Sequence, residues 1–448
     1  MNTDRLEDAL RDTLHAWTPG TPAAPAGLAD RLVRRRRRRN LGRTAGAALA
    51  LTGIAVGSIL TTGGGDEPPA TPVSTQSTLL WRTSLPGGHW DACTTAPGAV
   101  YCRGAAYDGI GVDERTGKVV WQRKAVSPDG GSSPSGSLPG VRDGVLYTYA
   151  DHAPGTSYAG TDLLAVDLDS RKVLWKHKLA DDSRGTDSAV LFDGGILAGA
   201  PTYKSVTALD GTTGATLWTY DWTQADCSRI AAGGVPYLLC SPDSAKAPQV
   251  SRVIRLNPAT GEPRTVATVN GPTLYLGTDG DTVLLGGIPE KGETFDAPGP
   301  AVMTRVELGS GEVSRHTVDT IPWGVVADGL VVTASKGDTA IAYSAADGER
   351  LWSRDLGLVL RKDPDDPTMR EVPSAAAVDL GLRVAYFLDP AGNLVGLDLD
   401  TGEPRWRGHV RLPRGPVESG VAPELMFSGG ELTGLVGGEL FRIRPEPA

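Results

Sequence analysis

The residues best spaced for covalent chemistry are the four cysteines. Cys93 and Cys102 stand nine positions apart and Cys227 and Cys240 thirteen apart, with Ala96-Pro97-Gly98 inside the first interval and Gly233-Gly234 inside the second. Turn residues between two cysteines predict a hairpin whose arms bring the sulfurs within bridging distance, so local pairing is expected among the three connectivities that four cysteines permit. Two such bridges point to an oxidising compartment. Free buried thiols and a zinc site are the alternatives. Zinc fits poorly, because neither pair has the short ligand spacing of a structural site and the six His have no partner close by in sequence.

Oxygen ligands are the next candidates. Asp279 with Asp281, and Asp363 with Asp365 and Asp366, sit in turn-like stretches that could hold calcium, but their spacing matches no known calcium loop. Solvated turns account for them as well. Patterns that would carry catalysis are missing: no H-E-x-x-H, no G-x-S-x-G, no phosphate loop with G-K-S/T and no dinucleotide fingerprint after a strand. The sequence therefore predicts no catalytic residue, no metal ligand and no cofactor.

Tryptophan is what recurs. GVDERTGKVVW ends at Trp121, AVDLDSRKVLW at Trp175, TALDGTTGATLW at Trp218, AYSAADGERLW at Trp352 and GLDLDTGEPRW at Trp406. RLNPATGEPRT, ending at Thr265, and VELGSGEVSR, ending at Arg315, are copies without the Trp. Each copy reads as a hairpin: Asp or Asn caps turn amides, Gly closes the turn in the left-handed region, and the residue four places on lies on the second strand. There Trp121, Trp175, Trp218, Trp352 and Trp406 are expected to dock one unit on the next, with Thr265 and Arg315 marking two weaker contacts. Arg171 occupies the Gly slot of the second copy, which costs about 1 kcal/mol if the conformation is kept, or else implies a different turn.

Intervals between the turn positions are 54, 43, 47, 50, 37 and 54 residues, suited to one four-stranded antiparallel sheet per repeat. No heptad-like pattern supports a helical solenoid. A composition of 58 Gly and 33 Pro against 5 Phe and 4 Met agrees with many short strands joined by turns. Near the start, Leu79-Leu80-Trp81 reads as an outer Trp-bearing strand alone, while ELMFSGGELTGLVGGELFRIRP at the end reads as inner strands without an outer one. If both ends share one sheet, the ring closes with eight blades and leaves no open edge.

A repeat of the form A-x-D-x-x-T-G-x-x-x-W at this blade length resembles the pyrroloquinoline-quinone-like (PQQ-like) propeller family over residues 79–444. The resemblance implies an all-β, eight-bladed β-propeller of the quinoprotein-dehydrogenase type in which the motif residues, Trp81 among them, dock blades together. It says little of chemistry, since the family holds quinone- and calcium-binding dehydrogenases as well as non-catalytic members such as a scaffold lipoprotein of outer-membrane protein assembly. Catalytic members often carry a disulfide between adjacent cysteines. No Cys-Cys pair exists in this sequence, and no stretch aligns to the calcium or base positions.

Ahead of the repeats the chain changes character. Residues 1–43 hold ten Arg against five Asp or Glu, a charge of +5, so within a total of −9 the remainder carries −14. Such an acidic body repels phosphate backbones, and no nucleic-acid partner is expected. Residues 44–62 are uncharged and nearly long enough to span a bilayer, and Arg34–Arg39 with Arg43 beside them would stay on the cytoplasmic side. A cleaved export signal, with Arg38-Arg39-Asn40-Leu41 loosely twin-arginine, is the rival reading. Leu6, Leu10, Leu14 and Trp17 share one face of a possible docking helix; a disordered leader serves equally.

The expected layout is a cytoplasmic basic leader over 1–43, a transmembrane helix over 44–62, a flexible linker over 63–78 and the propeller over 79–448. The expected protein is a single-pass cell-membrane protein with its N-terminus in the cytoplasm. Its extracytoplasmic propeller would bind, scaffold or sense an unidentified protein, polymer or small ligand. A quinone-dependent oxidoreductase is the alternative. Partner contacts are expected on the long segments Ser127–Arg142 and Asp363–Glu371.

Overall fold

A computed structural model describes residues 73–446, apart from 88–89, 105, 126–137, 152–160, 180–188, 200–203, 224, 243–249, 288–300, 320–323, 335–337, 363–369 and 414–421. The leader, the apolar segment 44–62 and linker residues 63–72 lie outside the described residues. Among those that are described, no helix is long and apolar enough to cross a membrane.

Thirty-two strands form eight antiparallel sheets of four. Blades 1 to 7 follow chain order and occupy residues 90–124, 140–178, 190–221, 225–270, 273–318, 324–355 and 377–409. Blade 8 combines three strands within 424–445 with Ser77–Ser84, which pairs antiparallel to Glu439–Pro445. The chain thus forms an all-β, eight-bladed propeller. Its first strand completes its last sheet, as the two incomplete ends of the sequence predict, and the closure removes the free edges that an open sheet would expose.

The first strand of each blade is innermost, where it meets the first strand of a neighbour, and the fourth is outermost. Side chains alternate across a strand, so successive residues face opposite neighbouring blades. In blade 2, Leu146 and Leu164 join a cluster with Ala99 and Tyr101 of blade 1, while Tyr147, Leu163 and Ala165 join Ile196 and Ala198 of blade 3. Eight such clusters lie one between each pair of adjacent blades. The core is therefore between sheets rather than within them. Inner strands such as Ala99–Gly104 are buried along their whole length, while outer ones such as Val119–Lys124 alternate with solvent.

Candidate functional site

Topology separates two ends of the propeller. The hairpins joining first to second and third to fourth strands are short and lie at one end, the turn end. Connections between second and third strands, and from one blade to the next, lie at the other, which we call the loop end. Most of the segments outside the described residues belong to the loop end.

At the turn end the repeat motif becomes geometry. Asp113 Oδ1 accepts hydrogen bonds from the Thr116 amide at 2.8 Å and the Thr116 hydroxyl at 2.7 Å, and Gly117 N donates to Asp113 O at 2.9 Å. Asp210 with Thr213 and Asp398 with Thr401 repeat the arrangement. These bonds, the threonine hydroxyl's foremost, hold the carboxyls of Asp113 and Asp210 below the usual carboxylate range.

The tryptophan of one blade lies over the turn of the next. Trp175 Nε1 donates to Gly211 O at 3.0 Å, Trp218 to Pro258 O at 2.8 Å, Trp352 to Leu399 O at 3.1 Å and Trp81 to Glu114 O at 2.8 Å. A Cβ at Gly214 would sit 2.6 Å from the Trp175 ring, and one at Gly402 2.7 Å from Trp352. Glycine at these positions thus meets two demands, a positive φ and the approach of an indole. Trp406, fully buried, has no such turn ahead of it because blade 8 is discontinuous there, and its Nε1 donates to Gln76 O at 2.7 Å instead.

Arg171 keeps the turn, with φ of 62° and its amide donating to Asp167 O at 2.8 Å. The preceding Trp121 packs edge-on to Tyr101 at 6.4 Å and against the cluster between blades 1 and 2. It differs from the other five blade tryptophans in being only half-buried, where they are buried.

Thr265 and Arg315 are exposed and are not the docking residues of blades 4 and 5. A single-residue bulge immediately precedes every blade Trp, at Leu80, Val120, Leu174, Leu217, Leu351 and Arg405, and sets which way the ring faces. In blade 4 the bulge falls later, at Val266, and blade 5 has none in that hairpin. The residues that meet the next turn are consequently Val266, whose carbonyl faces Gly311, and His316, whose Cβ faces Gly348. Repeat spacing carries no sign of this one-residue slip.

Cys93–Cys102 and Cys227–Cys240 are disulfides between residues directly opposite on the two innermost strands of blades 1 and 4. Cys93 N also donates to Glu424 of blade 8 at 2.6 Å, which places the first bridge at the ring closure. A second feature of that closure is absent from the sequence reading. In the other Trp-bearing sheets the residue opposite Trp is Gly or Ala, but opposite Trp81 stands Arg442, buried and ion-paired to Glu114 of blade 1 and to Glu431. The break in that small-residue pattern is the signal that would have found it.

The loop end carries buried charge. Asp108 meets Arg123 at 3.1 Å, Asp162 meets Lys176 at 2.7 Å, and the Arg103 guanidinium lies 5.9 Å from the Tyr149 ring across the blade 1–2 boundary. Glu371, 2% exposed, accepts from Arg361 Nε at 2.8 Å and Nη2 at 2.6 Å. Asp389 accepts from the amides of Ala391 and Asn393 and from Asn393 Nδ2. Burial pushes the His177 imidazole below its ordinary value, although Asp162 opposes this. These bonds set the bases of the loops. Glu371 at one end of Asp363–Glu371, and Leu138 with the strand Gly140–Arg142 at one end of Ser127–Arg142, belong to the scaffold, while 127–137 and 363–369 lie outside the described residues.

Among the described residues no three His, Cys, Asp or Glu side chains converge to hold a metal ion. Asp279 accepts from Gly329 N at 2.7 Å, bracing one inner turn against the next, while Asp363, Asp365 and Asp366 lie outside the described residues.

Eight four-stranded blades, packed on one another through an apolar cluster at every boundary, define a PQQ-like repeat propeller. A family profile described as outer membrane protein assembly factor BamB matches residues 56–203, 135–275 and 202–432, and the chain belongs to this family. The matches overlap, as expected when a profile of several repeats can be laid on a longer run of them in different registers. The fold is similar to the crystal structure of BamB from Moraxella catarrhalis, with a TM-score of 0.54 and 15% identity over 82% of this chain and 100% of that one. It is also similar to the computationally designed Ika8 protein, with a TM-score of 0.52 and 14% identity over 81% of this chain and 98% of that one. No curated protein matches this sequence. Likeness to a natural assembly factor and to a designed protein speaks for the fold and leaves function to the site.

Proposed function

We propose that this protein is anchored in the cell membrane through residues 44–62 and holds its propeller outside the cytoplasm, where it binds or scaffolds a protein, polymer or small ligand without transforming it. The observation that carries this reading is the use of the buried charges at the loop end. Asp108, Asp162, Glu371 and Asp389 are engaged by Arg123, Lys176, Arg361 and backbone amides, so the scaffold absorbs groups that catalysis would need as acid, base or ligand. The description of the family as an assembly factor supports a scaffolding role. Arginines on the cytoplasmic flank, and disulfides that persist outside it, support the orientation.

The test is to supply the purified full-length protein with pyrroloquinoline quinone, calcium and an alcohol or sugar, and to follow reduction of an electron-acceptor dye. No reduction above the protein-free rate is expected. Dye reduction that depends on both quinone and protein would establish the oxidoreductase alternative in its place.

A further inference from the structure

The outer hairpin of blade 4 departs from the way this propeller treats its cations. Elsewhere arginines on outer strands meet carboxylates, as Arg123 does Asp108, Arg305 does Glu307, Arg350 does Asp319, Arg354 does Glu403 and Arg405 does Asp398. In blade 4, Arg255 and Arg264 are direct cross-strand partners on the third and fourth strands. Like charges placed directly opposite destabilise a sheet. Neither arginine makes an ion pair among the described residues, and both are exposed. The stretch 250–270 holds three Arg against one Glu, in a body that is acidic as a whole.

Both arginines line an open cavity of about 530 Å³, together with Asn257, Pro258, Glu262 and Pro263. Its floor is fixed: the Asn257 side chain caps the Ala259 amide at 2.9 Å, and Pro258 O is held by Trp218 of blade 3 at 2.8 Å. A turn that carries two arginines on one cavity, without an ion pair among the described residues, is suited to an anion with several oxygens, since each arginine can present two parallel N–H donors. Strand pairing fixes the backbone positions from which both side chains extend.

We propose that this hairpin is an anion-recognition site taking a phosphate or polycarboxylate group of the ligand, which rests on the reading of the propeller as a binding module. Glu262 at the rim disfavours anions that approach from its side and sets a limit on affinity.

The experiment uses the full-length protein at constant ionic strength. Pyrophosphate and citrate are titrated separately against a chloride control, with thermal shift and calorimetry as readouts. Saturable binding of at least one of them is expected, with the better ligand showing whether phosphate or carboxylate is the chemistry read. R255A/R264A should weaken it by about tenfold or more, the order expected when charge-assisted bonds are lost. E262Q should tighten it. R264T should leave unliganded stability equal or higher, because it relieves the opposed charges, yet reduce the anion-dependent shift. Absence of saturable binding to both anions, or binding unchanged in R255A/R264A, overturns the proposal. Because the dye-reduction test probes catalysis and this one reads anion affinity, either can fail without the other.

Discussion

At the residue scale, one pairing explains most of the repeat: a glycine turn in one blade under an indole from the blade before. W352A and W406A should each cost about 3–5 kcal/mol by removing a buried ring and orphaning its carbonyl partner. W121A should cost clearly less, because Trp121 is half-exposed and covers no glycine turn. R171G should raise stability by about 1 kcal/mol through relief of the left-handed strain at φ of 62°. Chemical-denaturation midpoints of the three tryptophan and arginine variants test this ranking, and equal losses for W121A and W406A would refute it. The capping carboxylates give a pH dependence. Asp113 and Asp210 are depressed in the folded state, chiefly by the threonine hydroxyl bond, so their contribution is complete above the ordinary carboxylate pKa and is lost as pH falls through the lower folded value. D210N should therefore shallow the acid limb of a stability-against-pH curve by lowering its neutral plateau toward the value reached at low pH, where Asp210 is protonated. The Asp, Gly and Trp positions were legible because their types and spacing repeat. Val266 and His316 were not, because which residue faces the next blade depends on where a bulge falls, and a bulge leaves no mark in a repeat whose turn-to-turn lengths already vary.

At the scale of the element, the strand Ser77–Ser84 decides whether the ring closes. It pairs along its length with Glu439–Pro445, and Leu85 N donates to Gly438 O at 2.8 Å just beyond it. Across the same seam Arg442 reaches Glu114, and Cys93 N reaches Glu424. Burial raises the Glu431 carboxyl, but bonds from Arg444 and Arg442 outweigh it and hold the group below its ordinary value. A chain beginning at Gly87 should melt well below the parent and aggregate on warming, since it exposes a full strand edge and the face that Trp81 covers. Exchanging 363–369 for a Gly-Ser loop, with Arg361 and Glu371 retained, should leave the melting temperature nearly unchanged. R442A lies between these, at about 3–5 kcal/mol, because it removes the buried guanidinium that ion-pairs with Glu114 and Glu431 across the seam. The order of the three melting curves is the check. Closure was legible from the two incomplete ends of the sequence, as were the two hairpin disulfides. The ion pair across the seam was not, since its members are more than three hundred residues apart and neither stands at a recurring position of the repeat.

At the scale of the whole molecule, the eight inter-blade clusters are built mainly from strand residues, with a few residues from the bases of the connections, such as Leu179, Leu356 and Leu358, completing them. Fold class and blade count were readable from turn spacing for that reason, and the ligand was not, since scaffold residues repeat and recognition residues do not. The proposed placement of the ring relative to a membrane rests on charge. Moving the block Arg34–Arg39 across a bilayer is unfavourable against the positive-inside bias, so the proposal threads the uncharged segment directly after it with its C-terminal side outward. On that proposal everything after about residue 62 is extracytoplasmic, in a compartment where Cys93–Cys102 and Cys227–Cys240 would stay oxidised. Protease added to intact cells should cut within 63–78 or the propeller loops and leave a tag at the N-terminus protected. Replacing Arg34–Arg39 with Gln should weaken this bias and yield a fraction of chains with the protected end reversed. Digestion of the N-terminal tag with sparing of a C-terminal one would invert the topology. A mature protein that starts after Leu60 would instead identify 44–62 as a cleaved export signal and release the propeller from the bilayer.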